Sequence, residues 1–500
     1  MSETITISKK NHAFLHVEAD PGILNELVDF FAFRPEGYQF VPSYKNKMWD
    51  GFVRLFSARD KQLYSGLFRY LEEFANAEGR DYRLVVTQNA SYGLPATTQE
   101  IDIGYISSLK LTSRGNEIAP RDYQLKAVNH ALTHKQAVLL SPTASGKSFI
   151  IYLLIQWYLR NHNKSILVIV PTTSLVSQMY GDFADYSEFD DSFNKDMMHT
   201  IQAGAEKKTK AKVVISTWQS IYKMHGQWFE KFGMVVGDEA HTFKAKSLTT
   251  IMGKCREAEF RFGTTGTLDG SNVNKLVLEG LFGPVYHVTS TKELIDGGQL
   301  AQFSINALVL KYSEETRKAF GKKNYQEEIE WLVLNEQRNN LIANLALDLD
   351  GNTLILFNFV EKHGKPLHRL IESKAHAKRK VFYVSGETKS DHREDIRKIT
   401  ETQKNAIIVA SLGTFSTGIN IRNLHNIIFA SPSKSQVKVL QSIGRGLRKS
   451  DDGRDTVLYD IVDDLSHKSR KNYALSHAIN RLEIYSKEKF TFKIHEVPMR

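Results

Sequence analysis

The sequence predicts an α/β chain with two parallel-sheet domains preceded by a small α+β domain. Three observations predict it. The run around Gly146-Lys147-Ser148 reads as strand, small-residue loop and helix, the context a phosphate loop requires. Short runs rich in Val and Ile alternate with helical stretches from about residue 120 to 285 and again from about residue 346 onward. The first hundred or so residues lack that rhythm and mix strand-like with helical pieces.

Composition bounds the function classes. At 41% hydrophobic over 500 residues the chain can bury sizeable cores. Lys and Arg number 66 against 56 Asp and Glu, a net charge of +10 that suits a polyanionic partner. The first hundred residues are not basic overall, so the excess lies further along. The single cysteine, Cys255, excludes an intramolecular disulfide and a cysteine-built metal site, and fits a reduced, cytoplasmic compartment. No Cys/His spacing supports zinc. The longest apolar run, Phe149 to Leu159, is broken by Gln156 and is too short for a bilayer, so no membrane partner is expected. Met1 to Lys10 is polar and has no signal-peptide core.

Residues 1–112 form the expected N-terminal domain. Pro21 to Phe31 reads as a helix, with Ile23, Leu24, Leu27 and Phe30/Phe31 at helical spacing. Ser43 to Phe56 interleaves aromatics and bases, and its Asp50-Gly51 is a hairpin signal. Lys45, Lys47, Trp49 and Arg54 there can bind nucleic acid by phosphate contact and stacking. Equally, Trp49 and Phe52 can be core with the lysines in water. Arg59, Lys61 and Arg69 follow.

Residues 113–285 form the expected first sheet domain. Pro120-Arg121-Asp122-Tyr123-Gln124 leads into a helix. The strand Ala137–Leu140 then feeds Ser141-Pro142-Thr143-Ala144-Ser145-Gly146-Lys147-Ser148, and an apolar helix follows from Phe149. Backbone N–H groups of such a loop and helix start favour an anion. Lys147 reaches the β- and γ-phosphates of a nucleoside triphosphate, and Ser148 holds Mg²⁺. Ser141 stands where the usual pattern has its first glycine. Further strands are expected at Ser165–Val170, Lys212–Thr217 and Met234–Asp238. The lysine-rich stretch Lys207 to Lys212 reads as a solvated turn or a DNA contact. Asp238-Glu239-Ala240-His241 closes the last of these strands, at the sheet end where open α/β folds bind ligands. Asp238 is the candidate Mg²⁺ ligand, and Glu239 the candidate base for the attacking water.

Residues 286–345 break the rhythm and are expected as a connector or insertion, charged and helical from Glu314 to Glu336. In residues 346–500 strands are expected at Thr353–Phe359, Lys380–Ser385, Ala406–Ser411, Asn426–Ala430 and Val457–Ile461. This second domain has no phosphate loop. It carries Gln441-Ser442-Ile443-Gly444-Arg445-Gly446-Leu447-Arg448, where Arg445 and Arg448 share one helical face. Two guanidinium groups there can cross an interdomain cleft and neutralise charge on the γ-phosphate.

With these motifs in this order, the sequence resembles the superfamily 2 helicases and translocases over roughly residues 118–465. The resemblance implies two RecA-like motor domains using ATP and Mg²⁺. Tyr123 and Gln124 look like the adenine-reading motif. Ser141–Ser148 looks like motif I, with Ala144 where many members have glycine. Pro171-Thr172-Thr173-Ser174-Leu175 and Ser216-Thr217-Trp218-Gln219 look like motifs Ia and Ib. Asp238–His241 is motif II in its DEAH spelling, and Gly263-Thr264-Thr265-Gly266-Thr267 stands where motif III is expected, without its common Ser-Ala-Thr form. Leu356-Phe357-Asn358-Phe359 looks like motif IV. Ser411 to Asn420, with Thr414, Gly418 and Asn420, looks like motif V, and Gln441–Arg448 like motif VI. The resemblance places Gly418, Asn420 and Gln441 at the nucleotide. It places Thr172, Thr173, Thr217, Asn358, Ser385, Gly386 and Thr414 at nucleic acid. Motif VI is closer to the DNA-directed branch of XPB-type and restriction-type translocases than to the DEAH RNA helicases, the alternative reading. With its Met-Trp-Asp-Gly N-terminal module the whole chain looks like the phage recombination helicases. That implies action on branched DNA, by fork and Holliday-junction branch migration, and on the RNA–DNA hybrids of R-loops.

Overall fold

The computed structural model describes residues 3–35, 37–87, 102–142, 144–190, 192–202, 204–243, 246–268, 272–300, 302–320, 323–376, 379–388, 402–414, 423–431 and 453–499. Two compact units divide the chain, one of Met1–Ser141 and Gly146–Thr289, the other of Pro142–Ser145 and Ser290–Arg500. No helix among the described residues is long and apolar enough to cross a membrane.

The first unit opens with a five-stranded sheet in the order Phe56–Ser57, Gln62–Tyr64, Phe14–Glu18, Glu3–Lys9, Tyr82–Val86. Only the last pair is parallel. The helix Pro21–Phe30 buries Ile23, Leu24 and Leu27, as the spacing requires, and starts on a proline. The expected Asp50-Gly51 hairpin does not form. The segment Pro42–Lys45 is helical, and Val53–Arg54 pairs with Ala32–Phe33 instead. Asp50 ties the turn locally, accepting from Phe52 N and pairing with Arg54. Gly51, at φ +83°, lies against the Tyr38 ring where a Cβ would sit 2.6 Å away, so this glycine serves packing rather than strand pairing.

The same unit continues into a seven-stranded, all-parallel sheet. Its order is Met198–Ile201, Val213–Thr217, Ser165–Val170, Phe232–Asp238, Phe260–Thr265, Gln136–Leu140, Val285–His287. The central strands are buried on both faces, which explains their unbroken apolar sequences. The N-terminal sheet and this one share a hydrophobic cluster that runs from Ile5 and Phe68 to Leu281 and Phe282.

The contact between them is close. The helix Asn272–Phe282 meets the segment Ser65–Arg69, and a Cβ on Gly66 would fall 1.8 Å from the Glu279 carbonyl oxygen. Glu279, 1% exposed, accepts from Arg69 Nη2 at 2.7 Å and from the Tyr70 hydroxyl. Burial and that carboxylate push the Tyr70 phenol up to about 12. Ser65 Oγ donates to the Gln136 side chain at the first residue of a core strand. Arg69, which follows the basic-aromatic stretch in sequence, is therefore a structural ion-pair partner.

The second unit is again seven-stranded and parallel, in the order Val381–Val384, Ile407–Ser411, Thr353–Phe357, Asn426–Phe429, Thr456–Asp464, Phe303–Lys311, Thr491–Pro498. This corrects the reading of residues 286–345 as a connector or insertion. Phe303–Lys311 is an inner strand of the second sheet, and the helices Tyr325–Leu334 and Glu336–Asp348 pack on it. Buried charges fix them there. Arg338 pairs with Asp463 at 2.8 Å, both fully buried, and Tyr312 donates to the same carboxylate. Glu328 accepts from the Asn472 side chain and from Ala474 N.

Candidate nucleotide and nucleic-acid site

Parallel strands deliver their motifs to one sheet end. In register, Leu140 lies opposite Thr265, and Asp238 opposite Thr264. The phosphate loop, motif II and motif III thus leave three neighbouring strands side by side. Ser141 N donates to Thr265 O at 2.8 Å, extending the ladder by one step before the chain turns. Ala144 (φ 67°) and Gly146 (φ 83°) both take left-handed backbone, which costs an alanine about 1–2 kcal/mol. Ser145 Oγ closes the turn on Pro142 O at 2.6 Å. Lys147 begins the helix Lys147–Asn161, and its ammonium donates to Ser141 O at 3.3 Å, folded back over the loop. Thr143 lies outside the described residues.

Gln124 is buried and braces the loop. A Cβ on Gly146 would sit 2.5 Å from its Nε2. Its Oε1 accepts from Arg121 N at 2.9 Å, holding the start of the helix Asp122–His134. Tyr123 accepts a bond from the Arg121 guanidinium. The Ser148 hydroxyl lies 3.0 Å from the Tyr186 hydroxyl and also bonds Asp182. Neither neighbour was expected, since both lie on the helix Thr173–Tyr186 with no motif to mark them.

Asp238 is almost fully buried and accepts from Thr264 Oγ1 at 2.8 Å. Burial, with the adjacent Glu239 charge, raises its carboxyl to about 6; the Lys147 ammonium opposes the shift. Glu239 stands at φ 50°, and the Thr242 hydroxyl donates to its carbonyl at 2.9 Å. Its carboxylate lies 3.3 Å from His241 Nδ1, which also meets Thr265 Oγ1 at 3.0 Å. Thr264 and Thr265 therefore hold both ends of motif II. The sequence marked this stretch as motif III but did not name its threonines as site residues.

The expected nucleic-acid contacts divide. Thr172 caps the helix Thr173–Tyr186, accepting from Leu175 N, with Thr173 exposed beside it. Thr217 is buried, its hydroxyl 2.9 Å from Ser220 Oγ, so its side chain faces inward. Asn358 is exposed at the end of Thr353–Phe357. Ser385 is buried, whereas Gly386 is exposed, and a Cβ on Gly386 would lie 3.9 Å from Thr414 Oγ1. Thr414 in turn accepts from Ser411 Oγ at 2.7 Å. Lys45, Lys47 and Arg54 are exposed, and Trp49 is half-buried. In the lysine-rich stretch, Trp228 Nε1 donates to Lys207 O, and Lys212 reaches Asn163 O. Gly418, Asn420, Gln441, Arg445 and Arg448 lie outside the described residues.

Residues 117–270 match the family described as type III restriction enzyme, res subunit, and residues 336–450 match the helicase conserved C-terminal domain. Residues 4–87 match the family described as DNA helicase UvsW, N-terminal. The ATP-dependent DNA helicase UvsW of Enterobacteria phage T4 is 35% identical over 97% of this chain and 98% of its own length. The chain belongs to the UvsW family. It is thus an ATP-dependent DNA helicase of superfamily 2, with two RecA-like motor domains behind a UvsW-type N-terminal domain. The crystal structure of T4 UvsW is matched over 100% of both chains, with a TM-score of 0.52 at 32% identity. A DNA 3′-5′ translocase, XPB2, of Sulfurisphaera tokodaii is 24% identical over 75% of this chain and 88% of its own length. A fragment of a type I restriction HsdR subunit from Vibrio vulnificus shares the fold, with a TM-score of 0.58 at 17% identity over 80% of this chain and 72% of its own.

Proposed function

We propose that this helicase remodels branched DNA, driving fork and Holliday-junction branch migration and unwinding R-loops in recombination, repair and replication. The observation that carries the nucleotide half is the convergence of Lys147, Asp238 and Glu239 on neighbouring strand ends. The loop N–H groups and Lys147 hold the β- and γ-phosphates. Tyr123 and Gln124 read the adenine. Glu239 orients the attacking water and takes its proton, its position held by Thr242 and His241. Asp238 and Ser148 would hold Mg²⁺ through the hard oxygen donors that it takes. Held there, Mg²⁺ would supply positive charge toward the triphosphate. Arg445 and Arg448 add guanidinium charge at the γ-phosphate. Thr172, Thr173, Asn358, Gly386 and Thr414 follow the phosphate backbone of a strand. The N-terminal Lys45, Lys47 and Arg54 hold duplex beside the junction. The branched-DNA reading rests on the full-length likeness to a phage DNA helicase, which also supports work in the cytoplasm of a host cell.

The test is a substrate panel with ATP: tailed duplex, fork, four-way junction, R-loop and RNA duplex. The fork, junction and R-loop are expected to be opened and to stimulate hydrolysis most. Lys147→Ala is expected to abolish hydrolysis while leaving nucleotide-free DNA binding intact. Stimulation by RNA duplex equal to that by branched DNA overturns the assignment in favour of a DEAH-type RNA helicase.

A further inference from the structure

The N-terminal domain exposes two large apolar side chains to an unusual degree. Phe40 is 70% exposed and Met48 is 75% exposed, the highest values among the described large hydrophobic residues. Both sit on one tightly bonded loop. Phe40 ends a single 3₁₀ turn, Tyr38–Phe40, and its N–H donates to Gly37 O at 2.9 Å. The turn Pro42–Lys45 follows at once, and Ser43 O then accepts from both Met48 N and Trp49 N. Lys47, at φ 56°, reverses the chain and lifts Met48 outward. Beneath, Tyr38 and Tyr44 pack edge to face at 4.8 Å, with Gly51 pressed against both rings. The loop is therefore a supported platform, and its exposed apolar groups are held out by structure.

The other aromatics of the segment are engaged. Trp49 is half-buried and donates its indole N–H to Phe52 O at 2.8 Å. Two guanidiniums already lie over the Phe52 ring, Arg34 at 4.5 Å and Arg54 at 5.4 Å. The Lys45 ammonium lies 6.0 Å from the Phe40 ring centroid. Lys45 and Lys47 are exposed and lie between Phe40 and Met48 in sequence. An exposed aromatic with cations beside it matches a nucleobase with its adjoining phosphates.

We propose that Phe40, aided by Met48, is the group that stacks on an unpaired or end-exposed base at a DNA branch point, while Lys45 and Lys47 hold the adjoining phosphates. Trp49 and Phe52, the aromatics that sequence alone suggested, are the support. The inference rests on the DNA-remodelling reading and adds the means of choosing a branch over plain duplex. Intact duplex offers no free base face along its length, whereas a junction does. Stacking carries no counterion release, so this contribution is independent of salt, unlike that of the lysines.

The experiment uses the full chain with Phe40→Ala, Phe40→Trp and Lys45→Ala/Lys47→Ala. Affinity is measured for a four-way junction and for blunt duplex of equal length, at two salt concentrations, with 2-aminopurine at the branch point. Phe40 is exposed, so its replacement leaves the fold intact. Phe40→Ala is expected to weaken junction binding about ten-fold, with duplex binding and salt slope unchanged and the 2-aminopurine response lost. Phe40→Trp is expected to retain all three. The lysine pair is expected to weaken both DNAs and flatten the salt slope by about one unit per lost phosphate contact. Unchanged junction affinity in Phe40→Ala overturns the inference and leaves the surface to a protein partner. Equal losses on junction and duplex also overturn it. Absence of DNA-stimulated ATPase in the unmodified protein would instead overturn the broader functional reading.

Discussion

At the scale of single residues, hydroxyls and buried rings do the positioning. Thr264 and Thr265 hold Asp238 and His241 through their side chains, so the order of motif II depends on a strand whose own sequence looks like core. In the second unit His363 plays a similar part. It is fully buried between Ser431 Oγ at 2.8 Å and Asn339 Oδ1 at 3.1 Å. Burial, with Arg338 nearby, depresses its pKa to about 3. A base depressed on folding gives stability that is complete above its unfolded pKa, near 6.5, and lost as pH falls from there toward 3. At pH 5 the loss from this one residue is about 2 kcal/mol. Denaturant titrations of His363→Asn and the unmodified protein at pH 7 and pH 5 check it. The unmodified second unit is expected to lose the larger amount, and the variant much less of it. An equal pH dependence in the two proteins removes His363 as the cause.

Elements show what sequence could and could not reveal. Strands such as Ser165–Val170 and Ile407–Ser411 announce themselves, because burial on both faces demands unbroken apolar runs that are visible locally. Phe303–Lys311 hides. Its side chains alternate between buried and half-exposed, and both its partners, Thr456–Asp464 and Thr491–Pro498, come far later in the chain. Asp50-Gly51 misled because a locally bonded Asp imitates a hairpin signal. The phosphate loop and Asp238–His241 were readable because their chemistry fixes residue types at fixed spacing. The partners of Ser148 were not, since Asp182 and Tyr186 are set by packing alone. The helix Asn272–Phe282 was equally silent about its N-terminal neighbour. Gly66→Ala is expected to destabilise the first unit by about 3 kcal/mol or more, because its methyl meets the Glu279 backbone, which has no rotamer to yield. A thermal-melt series including Gly115→Ala, where nothing lies within 4 Å of the added methyl but φ is +74°, separates collision from backbone strain. Equal losses at the two positions contradict the collision.

For the whole molecule, the division of labour follows from two similar sheets with different loops. Each has seven parallel strands, yet only the first carries a phosphate loop. On the proposed reading, the second domain contributes to hydrolysis through motif VI. Arg445→Ala and Arg448→Ala are expected to lower kcat far more than ATP affinity, since charge on the γ-phosphate is largest in the transition state. An arginine in this role is worth ~10³ or more in rate. Steady-state ATPase with a saturating four-way junction, beside nucleotide-binding titrations, measures the split. Wild-type kcat in both variants excludes these arginines from the reaction. The net charge of +10 makes all such DNA measurements sensitive to salt, so kinetic comparisons belong at one ionic strength.

The close fit of Gly66 and Arg69 against Glu279 also sets a timetable. The paired side chains of Arg69 and Glu279 lie 210 residues apart in the chain. At a synthesis rate of about 5–20 residues per second, the first must wait roughly 10–40 s for the second to be made. During that interval Gly66 and Leu67, which end against Glu279 and Gly280, lack those partners. The N-terminal domain is made early and secured late. Its apolar docking face therefore stays uncovered on the side of the helix Asn272–Phe282 while the ribosome is still at work.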